Sequence, residues 1–144
     1  MEKLLYQNSI LCVIDFSESS LKALKWTIKL ASENNARVTV LFCYRLITAT
    51  DDHETLNLKR DMEEEASKKF DALQKDLVKN QVFSCDFVTE IGFYPYRIEI
   101  FLKEKPVGLI VMGNSIIDNF HDYKRMTFEQ FLKNVKVPVV VVPA

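Results

Sequence analysis

The fold is decided by an apolar run, VGLIVM at residues 107–112, that stops abruptly at Gly113-Asn114-Ser115. An apolar run of this length, bounded by glycine and small polar residues, is typical of a buried strand of a parallel sheet. In open α/β sheets, ligands bind beyond the carboxyl ends of such strands. Gly113, Asn114 and Ser115 are therefore the first candidates for a functional site.

The next helix-forming stretch begins only at about Thr127, which leaves residues 116–126 as a predicted loop. Between Ile116 and Met126 this predicted loop contains no glycine. A cradle of backbone amides around phosphate groups needs residues that accept a positive φ, and glycine does so most readily. The sequence thus predicts a poor backbone cradle for phosphate.

Further strands and helices surround this run on both sides. Branched and apolar residues predict strands at residues 10–14, 37–46, 83–90 and 137–143. Apolar residues three and four positions apart predict helices over residues 21–31, 58–77, 95–102 and 128–135. The alternation of strands and helices predicts an α/β fold of three layers, a five-stranded parallel sheet of order 3-2-1-4-5 with helices on both faces.

The composition is that of an ordinary globular protein. The 144 residues are 48% hydrophobic and 27% charged, which is enough for one core, and we expect a single domain over residues 1–144. The formal net charge of -1 argues against nucleic acid as a partner. No apolar run approaches the roughly 20 residues of a membrane span, and the first residues do not resemble a secretory leader. We expect a cytoplasmic protein without a membrane partner.

Asp15 follows the first predicted strand. In a sheet of order 3-2-1-4-5, Asp15 and Gly113 lie together where the chain order reverses. The carboxylate of Asp15 could accept hydrogen bonds from a ribose or a base amine, and helix amides near Asp15 and Thr127 could meet anionic oxygens. The open alternative is that Asp15 only caps the helix that follows it.

Histidine and nearby charged residues could carry chemistry in the predicted loop. His121 stands beside Asp122, as in many acid–base pairs, but the sequence places no nucleophile with them. Lys124 and Arg125 could hold phosphate by charge, or could simply be exposed cations. We expect no catalytic residue, with nucleotide hydrolysis through Asp15 or His121 as the alternative.

Metal and redox chemistry have weaker support. Cys12, Cys43 and Cys85 stand far apart in strand-like segments without a CxxC motif, which is typical of buried apolar residues. His53 lies among acidic residues at 51–54, and a solvated helix entry is the simpler interpretation of that run. We expect no metal site.

Three segments, in order and well separated, resemble the signatures of the universal stress protein family. They are ILCVIDFSESS at residues 10–20, LIVMG at residues 109–113 and VPVVVVP at residues 137–143. The family is similar to the adenine-nucleotide-binding HUP folds. The resemblance implies a binding or signalling module of the stress response, with ATP or another adenine nucleotide as the implied ligand.

Nucleotide-binding members carry a pattern resembling G-x2-G-x9-G-[ST], whose glycines let the backbone wrap the phosphates of ATP. Gly113 fits the first position and Thr127 the last, but Ile116 and Met126 replace the second and third glycines. Both side chains are bulky, and the β-branched Ile116 especially resists a positive φ. We expect a degenerate crevice that does not bind ATP in the usual family manner, with retained ATP binding as the alternative.

The resemblance also implies an adenosine-type pocket lined by Asp15 and by the second strand near Val40 and Leu41. The candidate crevice therefore comprises Asp15, Val40, Leu41, Gly113, Asn114, Ser115 and Thr127.

The fifth predicted strand lies at an edge of the sheet, where four consecutive valines would expose an apolar, unpaired ladder. The family commonly pairs this strand with its copy in a second subunit. Pro138 and Pro143 would limit that pairing to a short segment. We expect a homodimer formed through Val137–Val142.

Overall fold

The computed structural model describes residues 8–46, 52–77, 84–120 and 126–144. The strands are β1 (Ser9–Ile14), β2 (Arg37–Tyr44), β3 (Ser84–Ile91), β4 (Leu109–Gly113) and β5 (Val139–Val142). The helices are α1 (Glu18–Asn34), α2 (Asp52–Leu77), α3 (Tyr94–Glu104), α4 (Asn114–Asp118) and α5 (Phe128–Asn134). Within these ranges, none of the helices combines the length and the apolar character that crossing a bilayer requires.

The five strands form one parallel sheet of order β3-β2-β1-β4-β5. This confirms the predicted fold class and strand order. The order of the chain reverses at β1, whose neighbours are β2 and β4. A parallel sheet with this reversal opens a crevice beyond the carboxyl ends of its strands.

Helices cover both faces of the sheet, because successive strand residues point to opposite sides. Ile10 of β1 packs with Leu24 on the face covered by α1 and α2. Leu11, the next residue, packs with Ile98 on the face covered by α3, α4 and α5. The two cores hold the sheet rigid and fix the positions of the strand ends.

Helix α4 corrects one sequence-based prediction. Residues 116–126 were predicted to form a loop, but Asn114–Asp118 form a helix directly after β4. Ile116 is fully buried in the core, and this burial favours a helical turn that points its side chain inward. The pairs His121-Asp122 and Lys124-Arg125 lie outside the described residues.

The other element boundaries differ by a few residues from those expected. Helix α2 begins at Asp52, six residues before the predicted start at residue 58, and so includes His53. Cys12 and Cys43 are buried, Cys85 is half-buried, and all three are free thiols, in keeping with their interpretation as apolar residues. Burial raises the pKa of the Cys12 and Cys43 thiols to about 12, which keeps both protonated at neutral pH.

Candidate functional site

A cavity of about 470 Å³ lies beyond the carboxyl ends of the strands. Its lining comprises Asp15, Phe42, Cys43, Tyr44, Arg45, Gly92, Phe93, Tyr94 and Asn119. Ligand pockets typically enclose roughly 300 to 1,000 Å³. A larger depression of about 580 Å³ follows the outer surface of α2, but charged, exposed side chains form most of it. The cavity at the strand ends is therefore the candidate site.

Asp15 sits in a tight turn between β1 and α1. Phe16 adopts a left-handed conformation with φ of 63°, which an L residue adopts only at some cost in energy. One carboxylate oxygen of Asp15 accepts hydrogen bonds from the Ser17 amide at 3.0 Å and from the Ser20 hydroxyl at 2.6 Å. The helix cap itself is Ser17, whose side chain accepts from the amide of Ser20. Asp15 thus shapes the turn that precedes the cap.

The carboxyl group of Asp15 is half-buried and ionised at neutral pH. Desolvation by itself raises its pKa, but hydrogen bonds from Ser17, Ser20 and Ser115 together outweigh that effect. The pKa of Asp15 therefore lies below its ordinary value. The crevice accordingly presents a fixed negative charge at the end of the central strand.

Four serines around this carboxylate form what we call the serine cluster: Ser17, Ser19, Ser20 and Ser115. The hydroxyls of Ser17 and Ser115 are 2.6 Å apart, and the Ser19 hydroxyl donates to that of Ser115 at 2.9 Å. The amide of Ser115 donates to the Ser19 hydroxyl at 3.1 Å. The serine cluster thus joins the start of α1 to the start of α4 through groups bonded to one another.

Gly113 ends β4 with φ of -77°, a conformation open to any residue. Glycine is therefore not needed at this position for its backbone conformation, but for the space that its missing side chain leaves. A Cβ on residue 113 would lie 2.5 Å from the carbonyl carbon of Ser19 and 2.6 Å from its hydroxyl oxygen. Glycine is required here because the end of β4 touches the first turn of α1.

Thr127 forms the N-terminal cap of α5. Its hydroxyl accepts from the amide of Gln130 at 3.1 Å, while its own amide donates to the Gln130 side chain at 3.0 Å. The amide and the hydroxyl of Thr127, with which it could bind an anion, are therefore both hydrogen-bonded within this capping box.

The predicted site residues other than Thr127 divide into two groups. The structure brings Asp15 and Ser115 together, with Gly113 and the exposed Asn114 beside them. Val40 and Leu41 are instead buried in the middle of β2, opposite Cys12 and Val13 of β1. The residues of β2 that line the cavity are its last three, Phe42, Cys43 and Tyr44. Only the last residues of a strand reach a crevice that lies beyond the strand ends.

The wall that follows β3 was predicted only in part, because Tyr94 could be read as aromatic surface at the end of that strand or simply as a helix start. The hydroxyl of the buried Tyr94 donates to the carbonyl oxygen of Ile14 at 2.7 Å, which ties α3 to the end of β1. The guanidinium carbon of Arg45 lies 4.7 Å from the centre of the Phe93 ring. Tyr94 stands beside Pro95, a helix-start signal, but nothing in the sequence indicates that Arg45 and Phe93 meet.

Comparisons with known proteins agree with this architecture. A family model described as "Universal stress protein family" matches residues 8–143. A universal stress protein from Lactobacillus plantarum is 19% identical, with 96% of this chain and 99% of that chain covered and a TM-score of 0.70. A member of the same family from Burkholderia pseudomallei is 20% identical, covers 99% and 100% of the two chains, and gives a TM-score of 0.67.

A third solved structure is the universal stress protein from Archaeoglobus fulgidus in complex with dAMP. It is 15% identical, with 96% of this chain and 99% of that chain covered and a TM-score of 0.58. Comparison with curated protein sequences finds no match. These structural likenesses show the fold, and the family model spans nearly all of the sequence. The chain therefore belongs to the universal stress protein family.

Proposed function

We propose that the protein is a dimeric, non-catalytic binding or signalling module of the stress response. Its crevice takes a ligand of the adenine nucleoside type without the backbone phosphate wrap of ATP-binding relatives. One observation carries the ligand part of this proposal: the amides of Ser115 and Thr127 are already bonded within the chain, while the cavity is lined mostly by the ends of β2 and β3 and the start of α3.

The nucleoside part of such a ligand fits the cavity. The ionised Asp15 accepts hydrogen bonds from hydroxyl or amine groups, which ribose and adenine both offer. Phe42, Phe93 and Tyr94 supply aromatic surface to the walls. The complex of the Archaeoglobus fulgidus protein with dAMP supports a nucleotide-type ligand for this fold.

The triphosphate of ATP does not fit the segment after β4. A backbone wrap would need free amides and a positive φ near residue 116, but α4 is helical there and Ile116 is fully buried. Unwinding that turn would expose the Ile116 side chain, at a cost of about 1.5 to 3 kcal/mol. The phosphate end of the crevice is in this sense degenerate.

Equilibrium dialysis with labelled adenosine and with labelled ATP plus Mg²⁺ tests the proposal. We expect adenosine to bind and ATP to bind no more than about tenfold more tightly, since at most one or two charge-assisted bonds are gained. Asp15→Asn should weaken adenosine binding, whereas Asp76→Asn, an exposed carboxylate late in α2, should not. ATP binding hundreds of times tighter than adenosine binding would favour family-type ATP recognition instead.

The dimer is the second part of the proposal. Strand β5 pairs with β4 and stands at the edge of the sheet, with the side chain of Val141 36% exposed. A groove of about 440 Å³ between α3 and α5 is lined in part by the half-buried Val135 and Val137, in the segment that leads into β5. An exposed apolar edge of this kind offers unpaired backbone groups to which a strand of a second copy can bond. Analytical ultracentrifugation measures the mass, and a concentration-independent monomer would overturn this part.

A further inference from the structure

We infer that Arg45, held over Phe93 at the mouth of the crevice, binds the anionic group of the ligand, so that the site prefers a nucleoside monophosphate to the free nucleoside. This inference rests on the proposed nucleoside crevice. It assigns the phosphate to the β2 and β3 side of Asp15 and not to the β4 side.

The strand register places the two charges of the cavity at different depths. Ile14 of β1 pairs with Phe42 of β2, so Asp15 is level with Cys43 and Arg45 lies two residues further out. Two residues of extended chain span roughly 7 Å. A ligand that bonds its neutral polar groups to Asp15 therefore directs its far end toward the Arg45 guanidinium.

The guanidinium is held in place by its neighbours. The Phe93 ring lies 4.7 Å beneath it, and a cation–π contact favours a flat guanidinium over the ring face. Gly92, with φ of 139°, donates its amide to the carbonyl oxygen of Tyr44 at 2.9 Å. Because Tyr44 precedes Arg45 and Gly92 precedes Phe93, this bond fixes both partners of the contact.

The lining favours one phosphate and not several. Among the described residues that line the cavity, Arg45 is the single cationic side chain. A planar guanidinium can donate two parallel hydrogen bonds to one phosphate group. The ionised Asp15 in the same cavity disfavours further negative charge nearby.

Titration calorimetry with adenosine and with AMP at low salt tests this assignment. We expect wild-type protein to bind AMP about tenfold more tightly than adenosine, the gain of one charge-assisted contact. Arg45→Gln should bring the ratio of AMP affinity to adenosine affinity down from about ten to about one. Arg45 is exposed, so this variant should fold normally, which its thermal unfolding temperature checks.

The matched control is Lys105→Gln. Lys105 also stands over an aromatic ring, that of Phe101 at 5.9 Å, but it follows the far end of α3. This variant should keep the wild-type ratio of AMP to adenosine affinity. If adenosine binds and the ratio of AMP affinity to adenosine affinity is the same in Arg45→Gln as in wild type, the role of Arg45 is overturned but the proposed function stands. If neither adenosine nor AMP binds the wild-type protein, the proposed function fails with it.

Discussion

Gly113 and Ser19 meet backbone to backbone: a Cβ on residue 113 would lie 2.5 Å from the Ser19 carbonyl carbon. This contact brings the end of β4 against the first turn of α1. It also allows the amide of Ser115 to reach the Ser19 hydroxyl. Gly113, which fits the first glycine of the nucleotide-binding pattern, here serves the packing of a helix against a strand end.

Gly113→Ala should destabilise the fold. The added methyl group has no space, and overpacking of this kind costs about 1 to 3 kcal/mol in unfolding free energy. Adding Ser19→Ala should not rescue the variant, because the clash is with the backbone of Ser19 as well as its hydroxyl. Urea denaturation measures both variants, and wild-type stability of Gly113→Ala would contradict the contact.

Ser20→Ala should lower stability in a pH-dependent way. The pKa of Asp15 is lowered in the folded protein, so its ionised form stabilises the fold above the unfolded pKa of about 3.9. That contribution is lost as the pH falls through the folded pKa. Removing the Ser20 hydroxyl removes part of this contribution. The stability difference from wild type should therefore be larger at pH 7 than at a pH below the folded pKa of Asp15.

Ser32→Ala provides the comparison for this pH effect. The Ser32 hydroxyl donates to a backbone carbonyl, that of Lys29, and contacts no carboxylate in that bond. Its stability difference from wild type should stay constant with pH. A constant difference for Ser20→Ala would show that the bond to Asp15 is not what the variant removes.

Tyr94→Phe should cost more stability than Tyr44→Phe. The Tyr94 hydroxyl bonds a buried carbonyl oxygen, that of Ile14, and loss of such a bond costs about 1 to 3 kcal/mol. The Tyr44 hydroxyl bonds Glu63 at 3.0 Å, a carboxylate whose side chain is 34% exposed and can turn to water. Chemical denaturation measures the unfolding free energy of both variants. Equal losses would argue against a stabilising hydrogen bond from Tyr94 to Ile14.

Val141→Lys should convert the proposed dimer into a monomer. A lysine at this position places a charge on the strand edge, where it disfavours pairing with a second copy. Analytical ultracentrifugation compares the two proteins, with a dimer expected for wild type and a monomer for Val141→Lys. A dimer of equal stability in both would contradict pairing through β5.

The sequence predicts the sheet because periodic apolar runs separated by amphipathic helices leave few topologies. It does not predict α4, because the helical turn depends on burial of Ile116 between β4 and its neighbours, a tertiary effect. The sequence does not predict the serine cluster either, because Ser115 lies 98 positions from Ser17 along the chain. The approach of Arg45 to Phe93 likewise depends on the bond between Tyr44 and Gly92, which no local pattern encodes.

Two-dimensional amide NMR of the protein titrated with AMP and then with ATP tests the central claim most directly. We predict the largest shifts at Asp15, Arg45 and Phe93, and little change at Ser115 and Thr127, whose amides stay bonded to Ser19 and Gln130. The two ligands should produce similar patterns. Large shifts at Ser115 and Thr127 on addition of ATP, absent with AMP, would contradict the account.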